Sequence, residues 1–409
     1  MNKKRSNVKI VIVLAIVLLF AISACTPAAV EPAQPAQPAA TQAPVEPAQP
    51  EPTQPPPTTA PSEPTQAVQE PEPTVEVIAE EPEVISEEQF ELVISTWGAG
   101  YIELINKAVL PELQKYYPNV SLIFDEGGAS ARYNQLLANK DNPVHDIYIC
   151  GPEHNVGGIQ EGFLEPYDPA NVPNAQLLSD WATPIDNMGV AWSGYTYGIG
   201  YNPDFFGDNL PKSWNDLWRP EVQGMLVLPA IGHSHMPPFI EKIAETLGDK
   251  ENNKAAMEHL ALLKPAAQTV IYTQWTPQYE AGDVVIMADF DYYMVVLERQ
   301  GYNTKWVFPE EGALGASTNA AIVKGTQHKD AAEIFLNLML SEGVQEQVPV
   351  ILGQTPSRPG IALPDDMASS GLVCCADNVD WIDPAYSLSV RPEWTELMNE
   401  IVAPAWGEP

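Results

Sequence analysis

Positive charge is scarce in this chain. Lysine and arginine number 20 against 54 aspartates and glutamates, for a formal net charge of −34, and no basic residue occurs between Lys9 and Lys107. So acidic a chain has little to offer the phosphates of a nucleic acid or an anionic lipid surface, which argues against both as partners of the folded part. Cysteine is nearly absent too, with only Cys25, Cys150, Cys374 and Cys375. No histidine stands at ligand spacing from the adjacent pair, so no zinc pattern is present. The three cysteines after Cys25 leave at least one unpaired or intermolecular. A bond between the neighbours Cys374 and Cys375 would be strained, so the expectation is free thiols or one bridge involving Cys150. Catalytic signatures are missing as well: there is no G-x-S-x-G elbow, no H-E-x-x-H and no phosphate-binding P-loop. Ser234 stands between His233 and His235, but adjacent residues at a helix start rarely reach the geometry of a triad. The chain reads as a non-enzyme.

A long apolar run occurs at the start, Ile10 to Ile22, behind Lys3, Lys4, Arg5 and Lys9. That order is a secretory leader, residues 1–24. Ile22-Ser23-Ala24-Cys25 resembles the lipobox at which bacterial lipoproteins are cut. The resemblance implies a diacylglycerol on the Cys25 sulfur and a further acyl chain on its amino group, hence an exported protein anchored on the outer face of the cytoplasmic membrane. Without the four basic leader residues the charge falls to about −38. Residues 25–88 repeat Pro, Ala, Gln, Glu and Thr in units such as "EPAQPAQPAA". Too little apolar surface is available there to offset ordering entropy, so a disordered, extended stalk is expected.

The remaining stretch, 89–409, is longer than one compact core usually takes, which predicts two lobes. "FELVIST" (90–96), "VSLIFDE" (120–126) and "DIYIC" (146–150) read as strands. Ile102, Ile105, Val109 and Leu113 predict a helix over 101–117, and "ARYNQLLANK" a second. Strand–helix alternation implies parallel βαβ units, with ligands at the carboxyl edge of the strands. The loops Trp97–Gly100, Asp125–Ser130 and Gly151–His154 are therefore the first places to look.

Three stretches carry a family resemblance: "YGIGYNPDFFGDNLPKSWNDLWRPEVQGMLVLPA" (197–230), "GDVVIMADFDYYMVVLERQG" (282–301) and "WVFPEEGALGASTNAAIVKGTQHKDAAEIFLNLMLSEGVQEQV" (306–348). Together they resemble family 1 bacterial extracellular solute-binding proteins, with the likeness running from about Phe90 to Pro359. The resemblance implies an α/β type II periplasmic-binding fold: two α/β lobes joined by two crossing strands, with a ligand cleft between them. Lobe one would comprise about 89–194 and 311–360 and lobe two about 200–309, leaving 361–409 as a C-terminal segment of unassigned lobe. It further implies a monomeric component of an ABC importer that closes on a small solute and delivers it to a membrane permease.

Several residues are candidates for the ligand. By resemblance to the ferric-binding branch, Tyr292 and Tyr293 would supply phenolates to Fe(III) as cargo, with Glu153 adding a carboxylate. Apart from that cargo, no cofactor is expected. The polyamine branch instead holds ammonium groups with carboxylates and rings, types that Trp97, Glu153, Asp289, Asp291 and Tyr292 supply. A phosphorylated solute would use the helix start at Gly232, His233, Ser234 and His235, with Arg132 assisting. Histidines there predict pH-dependent affinity. Strand alternation from Asp289 would split the tyrosines between two faces, so both can reach one ligand only if a helix has begun by Tyr292.

Overall fold

A computed structural model describes residues 83–182, 186–269 and 271–407. The leader, Cys25 and the stalk up to residue 82 lie outside the described residues. Everything described belongs to one compact unit. The domain grips the chain from Ile85, ahead of the expected boundary at residue 89: the Ile85 amide donates to the Tyr116 carbonyl at 2.9 Å and the Asn119 side chain to the Glu87 carbonyl at 2.7 Å.

Strand β1 (Phe90–Thr96) leads into a helical run made of α1 (Gly100–Leu104), a π turn over Ile105–Val109, and α2 (Leu110–Leu113). The spacing predicts one regular helix here. The widened turn instead lies just ahead of Pro111, whose nitrogen has no hydrogen for the carbonyl four residues back. Then come β2 (Val120–Glu126), α3 (Ala129–Ala138), β3 (Ile147–Cys150), α4 (Pro152–Glu161) and β4 (Leu164–Glu165). A fully buried strand, β5 (Val190–Tyr201), passes to α5 (Pro203–Phe206), β6 (Leu226–Pro229), α6 (Met236–Thr246), α7 (Asn253–Leu260), β7 (Pro265–Thr269) and α8 (Thr276–Ala281). After β8 (Ile286–Phe290), α9 (Asp291–Arg299) and β9 (Lys305–Val307), the return strand is β10 (Ala313–Val323). The chain closes with α10 (Lys329–Met339), α11 (Glu342–Leu352), β11 (Thr355–Pro356), α12 (Gly371–Cys374), β12 (Val379–Trp381), α13 (Pro384–Ile401) and α14 (Ala403–Trp406).

The main strand order is β2-β1-β3-β10-β5-β8-β6-β7. Two large apolar cores flank it, with a smaller third around Leu136, Tyr148, Cys150 and Phe163. Leu92, Ile94, Ile147 and Phe335 belong to one, and Leu226, Phe239, Ile286 and Leu297 to the other. Strands β5 and β10 serve both: Trp192 packs in the first core and Tyr195 in the second, while Ala316 packs in the second and Ile322 in the first. The pairing directions then fix where ligands can go. Strand β3 runs antiparallel to β10 and β8 antiparallel to β5, so the parallel sets β1, β2, β3 and β6, β7, β8 aim their carboxyl ends at each other.

The cysteine expectation is overturned. Cys374 and Cys375, at the end of α12, are bonded to each other. Cys150 is fully buried in β3 between β1 and β10, out of reach of the surface pair, and burial pushes its thiol up to about 12.

Candidate functional site

The facing strand ends bring together residues from β1, β2, α3, β3 and α4 on one side and from β6, α6, β8 and α9 on the other. Arg132 of α3 folds inward. Its Nε donates to the Gly127 carbonyl at 2.9 Å and its Nη1 to the Ile149 carbonyl at 2.8 Å. The residue is 1 % exposed, and Nη2 has no acceptor. No carboxylate forms an ion pair with it among the described residues, and burial lowers the guanidinium's pKa. Trp97, immediately after β1, lies over this guanidinium at 4.7 Å and against Tyr101 at 5.1 Å. Its ring thus stacks on an internal cation, where the sequence suggested an external one.

Glu153 stands in the first turn of α4 with Pro152 ahead of it, a placement suited to a helix start. It is 3 % exposed. Its Oε2 accepts from Arg391 Nη1 at 2.6 Å, and its Oε1 has no partner. Burial pushes this carboxyl up to about 7 against the pull of Arg391. Beside it, His154 is held down to about 3 by burial, with Arg391 and Arg132 acting in the same direction.

The helix start at 232–235 departs from expectation. Its amide N–H groups are largely used within the turn: His233 donates to the Ala230 carbonyl at 2.9 Å, Met236 to the His233 carbonyl at 3.0 Å, and His235 to His233 Nδ1 at 3.2 Å. Ser234 Oγ pairs with His235 Nδ1 at 3.2 Å. Three of the N–H groups expected to form an open anion cradle are thus already taken, one of them by the His233 ring. Burial also drives His233 down to about 4 and His235 well below its usual range. Burial thus disfavours the charged form of both imidazoles. His235 Nε2 remains buried without a partner.

The stretch 289–293 turns helical earlier than alternation suggests, since β8 ends at Phe290 and α9 starts at Asp291. Asp289 accepts from Trp275 Nε1 at 3.0 Å and from the Phe290 amide at 2.9 Å, and burial pushes it up to about 7. Asp291 is occupied by four donors: the Thr196 amide at 3.1 Å, the Thr196 hydroxyl at 2.6 Å, the Ser370 hydroxyl at 2.7 Å and the Tyr292 amide at 2.8 Å. The sequence offered it as a ligand donor; the structure makes it a fastener of β5, α9 and the segment before α12.

Tyr292 and Tyr293 pack on each other at 4.5 Å, and Phe290 stacks on Tyr292 at 5.5 Å. Tyr293 belongs to the second core. Tyr292 meets Tyr195 edge-on and neighbours the Tyr101 phenol from the opposite side of the junction. Burial raises both phenols well above their usual range. Among the described residues, no three or more His, Cys, Asp or Glu side chains are grouped to hold a metal ion. The third residue expected to join the tyrosines, Glu153, hydrogen-bonds Arg391 instead.

Next to this junction, a cavity of about 190 Å³ is bounded by Asn155, Ala191, Ser317, Asn319 and Trp381 together with Trp181. Three contributors went unread in the sequence: Tyr101, Tyr195 and Arg391. Arg391 did leave a signal, as the only lysine or arginine after Arg358.

Two α/β halves joined by crossing strands, with polar and aromatic groups at the facing strand ends, form the type II periplasmic-binding fold. Residues 142–368 match the model of the bacterial extracellular solute-binding proteins, and the chain belongs to that family. A spermidine/putrescine-binding periplasmic protein of Salmonella typhimurium is 23 % identical over 228 residues, covering 54 % of this chain and 65 % of that protein. The match thus spans slightly under two thirds of that relative's length. An ABC transporter structure from Clostridium perfringens superposes with a TM-score of 0.64 at 26 % identity, over 76 % of this chain and 100 % of that one. The ferric binding protein from Campylobacter jejuni gives 0.61 at 18 % identity, over 76 % of this chain and 99 % of that one.

Proposed function

We propose that this chain is the exported, Cys25-anchored, monomeric solute receptor of an ABC importer. It captures a small organic solute carrying a carboxylate or phosphate between its two halves and releases it unchanged to the membrane permease. Family membership supports the transport role. The observation that carries the ligand class is Arg132: a buried guanidinium with no carboxylate ion pair and its Nη2 amino group without an acceptor, set beneath Trp97 at the carboxyl ends of β1 and β3. An unpaired buried cation is costly, and an anionic group of the solute would offset that cost.

A second reading, an organic cation, draws on the partnerless Oε1 of Glu153, the surrounding rings and the polyamine-binding relatives. Ferric iron as cargo fits this arrangement less well. The ion would have to ionise two adjacent buried phenols without Glu153, which is paired with Arg391. The test is thermal-shift screening against sugar phosphates, dicarboxylates, spermidine and ferric citrate. An anionic solute at a hundred times its Kd should stabilise the wild type by about 2.7 kcal/mol. It should stabilise Arg132→Gln and Arg132→Lys far less, the lysine keeping the charge but not the fork. A shift with spermidine alone would favour the cation reading. A visible phenolate–iron band that vanishes in Tyr292→Phe would restore iron.

A further inference from the structure

The C-terminal helix α13 is built into the second half of the molecule. Trp394, Met398, Val402 and Trp406, on α13 and the α14 turn, are buried in the second core, and Trp406 Nε1 donates to the Leu260 carbonyl at 2.9 Å. The helix is started by Asp383, whose Oδ1 accepts from the Ala385 and Tyr386 amides, both at 3.0 Å. Thr395 lies against Gly232, its methyl 3.4 Å from where a Cβ on that glycine would sit. Yet α13 also packs along α4, which belongs to the first half, as well as along α6. From this position Arg391 reaches over to Glu153, with the two side chains 22 % and 4 % exposed.

We infer that the Arg391–Glu153 ion pair is a latch between the two halves, so that Arg391 is a positioning residue for solute capture and α13 is part of the closing machinery. This rests on the proposed solute capture for its consequence. Three observations converge. Arg391 is carried by a helix rooted in the second core, and Glu153 by α4, which packs on β10, α3 and the cluster around Tyr148 and Phe163, so separating the halves breaks the bond. The acceptor is almost completely buried, which makes its loss costly because an unpaired carboxylate is left behind. The pair also sits in the first turn of α4 and beside His233, where the two sets of strand ends meet. A latch of this kind favours the closed form before solute arrives. Since affinity scales with the fraction already competent to bind, removing the Arg391 side of the pair weakens capture without touching any atom assigned to the solute.

The experiment uses the full chain and compares wild type, Arg391→Gln, Glu153→Gln, the double variant and Arg391→Lys. Small-angle X-ray scattering without solute should give a larger radius of gyration in both single variants and no further increase in the double variant. Arg391→Lys, which keeps the charge, should recover most of the closed form. With fructose 6-phosphate and succinate as probes, calorimetry should show about tenfold or greater weakening in Arg391→Gln. An unchanged radius of gyration in both single variants overturns the latch, whatever happens to affinity, and the two sites of substitution guard against one variant failing to fold. Opening in both variants, with neither probe binding the wild type, upholds the latch and counts against the anionic-solute reading instead.

Discussion

Replacing Asp291 by alanine should cost the fold about 2–4 kcal/mol while leaving no ligand contact missing. The carboxylate is 2 % exposed and accepts four hydrogen bonds, two from hydroxyls and two from backbone amides. The hydroxyls of Thr196 and Ser370 can rotate toward other acceptors. The Thr196 amide cannot, because β5 fixes its direction, and a buried donor left without a partner costs about 1–3 kcal/mol. Removing the acid also relieves its own desolvation, which already raises its pKa, so the net falls below a simple sum of four bonds. Asp291→Asn keeps one acceptor for the amides and turns its NH₂ toward hydroxyls that can accept, at about 1 kcal/mol. Equilibrium urea unfolding of both variants reads these differences as midpoint shifts at constant slope. An alanine variant within 0.5 kcal/mol of wild type that nevertheless loses solute-induced stabilisation would refute the fastening role and return Asp291 to the ligand shell.

Asp289 gives a pH signature. Its folded-state pKa of about 7 stands above the ordinary 3.8, so the folded state keeps a proton that the unfolded chain has lost between those values. Its contribution to stability is fully present below about pH 4, falls as pH rises, and is gone above about pH 7. Between pH 5 and 8 the wild type should therefore lose about 1–3 kcal/mol more than Asp289→Asn, and parallel stability curves would count against this. Gly198→Ala should destabilise by about 1–3 kcal/mol, because an added Cβ would overlap the rigid, buried Trp306 indole. A thermal midpoint equal to wild type would show that the indole can move aside.

Where neighbouring residues decide structure, the sequence was legible. The first three strands fall within a residue of their expected limits, because each is a short β-rich run bounded by turn residues. The start of α9 was harder. "ADFDYY" alternates like a strand, and what makes Asp291 helical is its capture by Thr196 and Ser370, 95 and 79 positions away. The same holds for Glu153, whose partner Arg391 lies 238 positions on, beyond the residues that the family model matches. Pairings of that range follow from which helix lies across which, and local pattern carries little of it.

Residue type alone could not separate binding groups from fastening groups at this junction. Carboxylates, phenols and imidazoles suit a cation, a metal or a phosphoryl group, and they equally suit the task of pinning two halves together with few apolar contacts. What separates the two uses is whether each polar atom already has a partner. Asp291 has a partner for each oxygen, and the His233–His235 turn uses most of its amides internally. Arg132 Nη2, Glu153 Oε1 and His235 Nε2 do not have one. Buried groups of this kind are rarely left unsatisfied without a use. In the proposed reading the solute meets these three atoms, a guanidinium donor, a carboxylate oxygen and an imidazole nitrogen. The tyrosine pair, conspicuous in the sequence, packs mainly on its own neighbours, with Tyr293 inside the second core and Tyr292 against Phe290 and Tyr195.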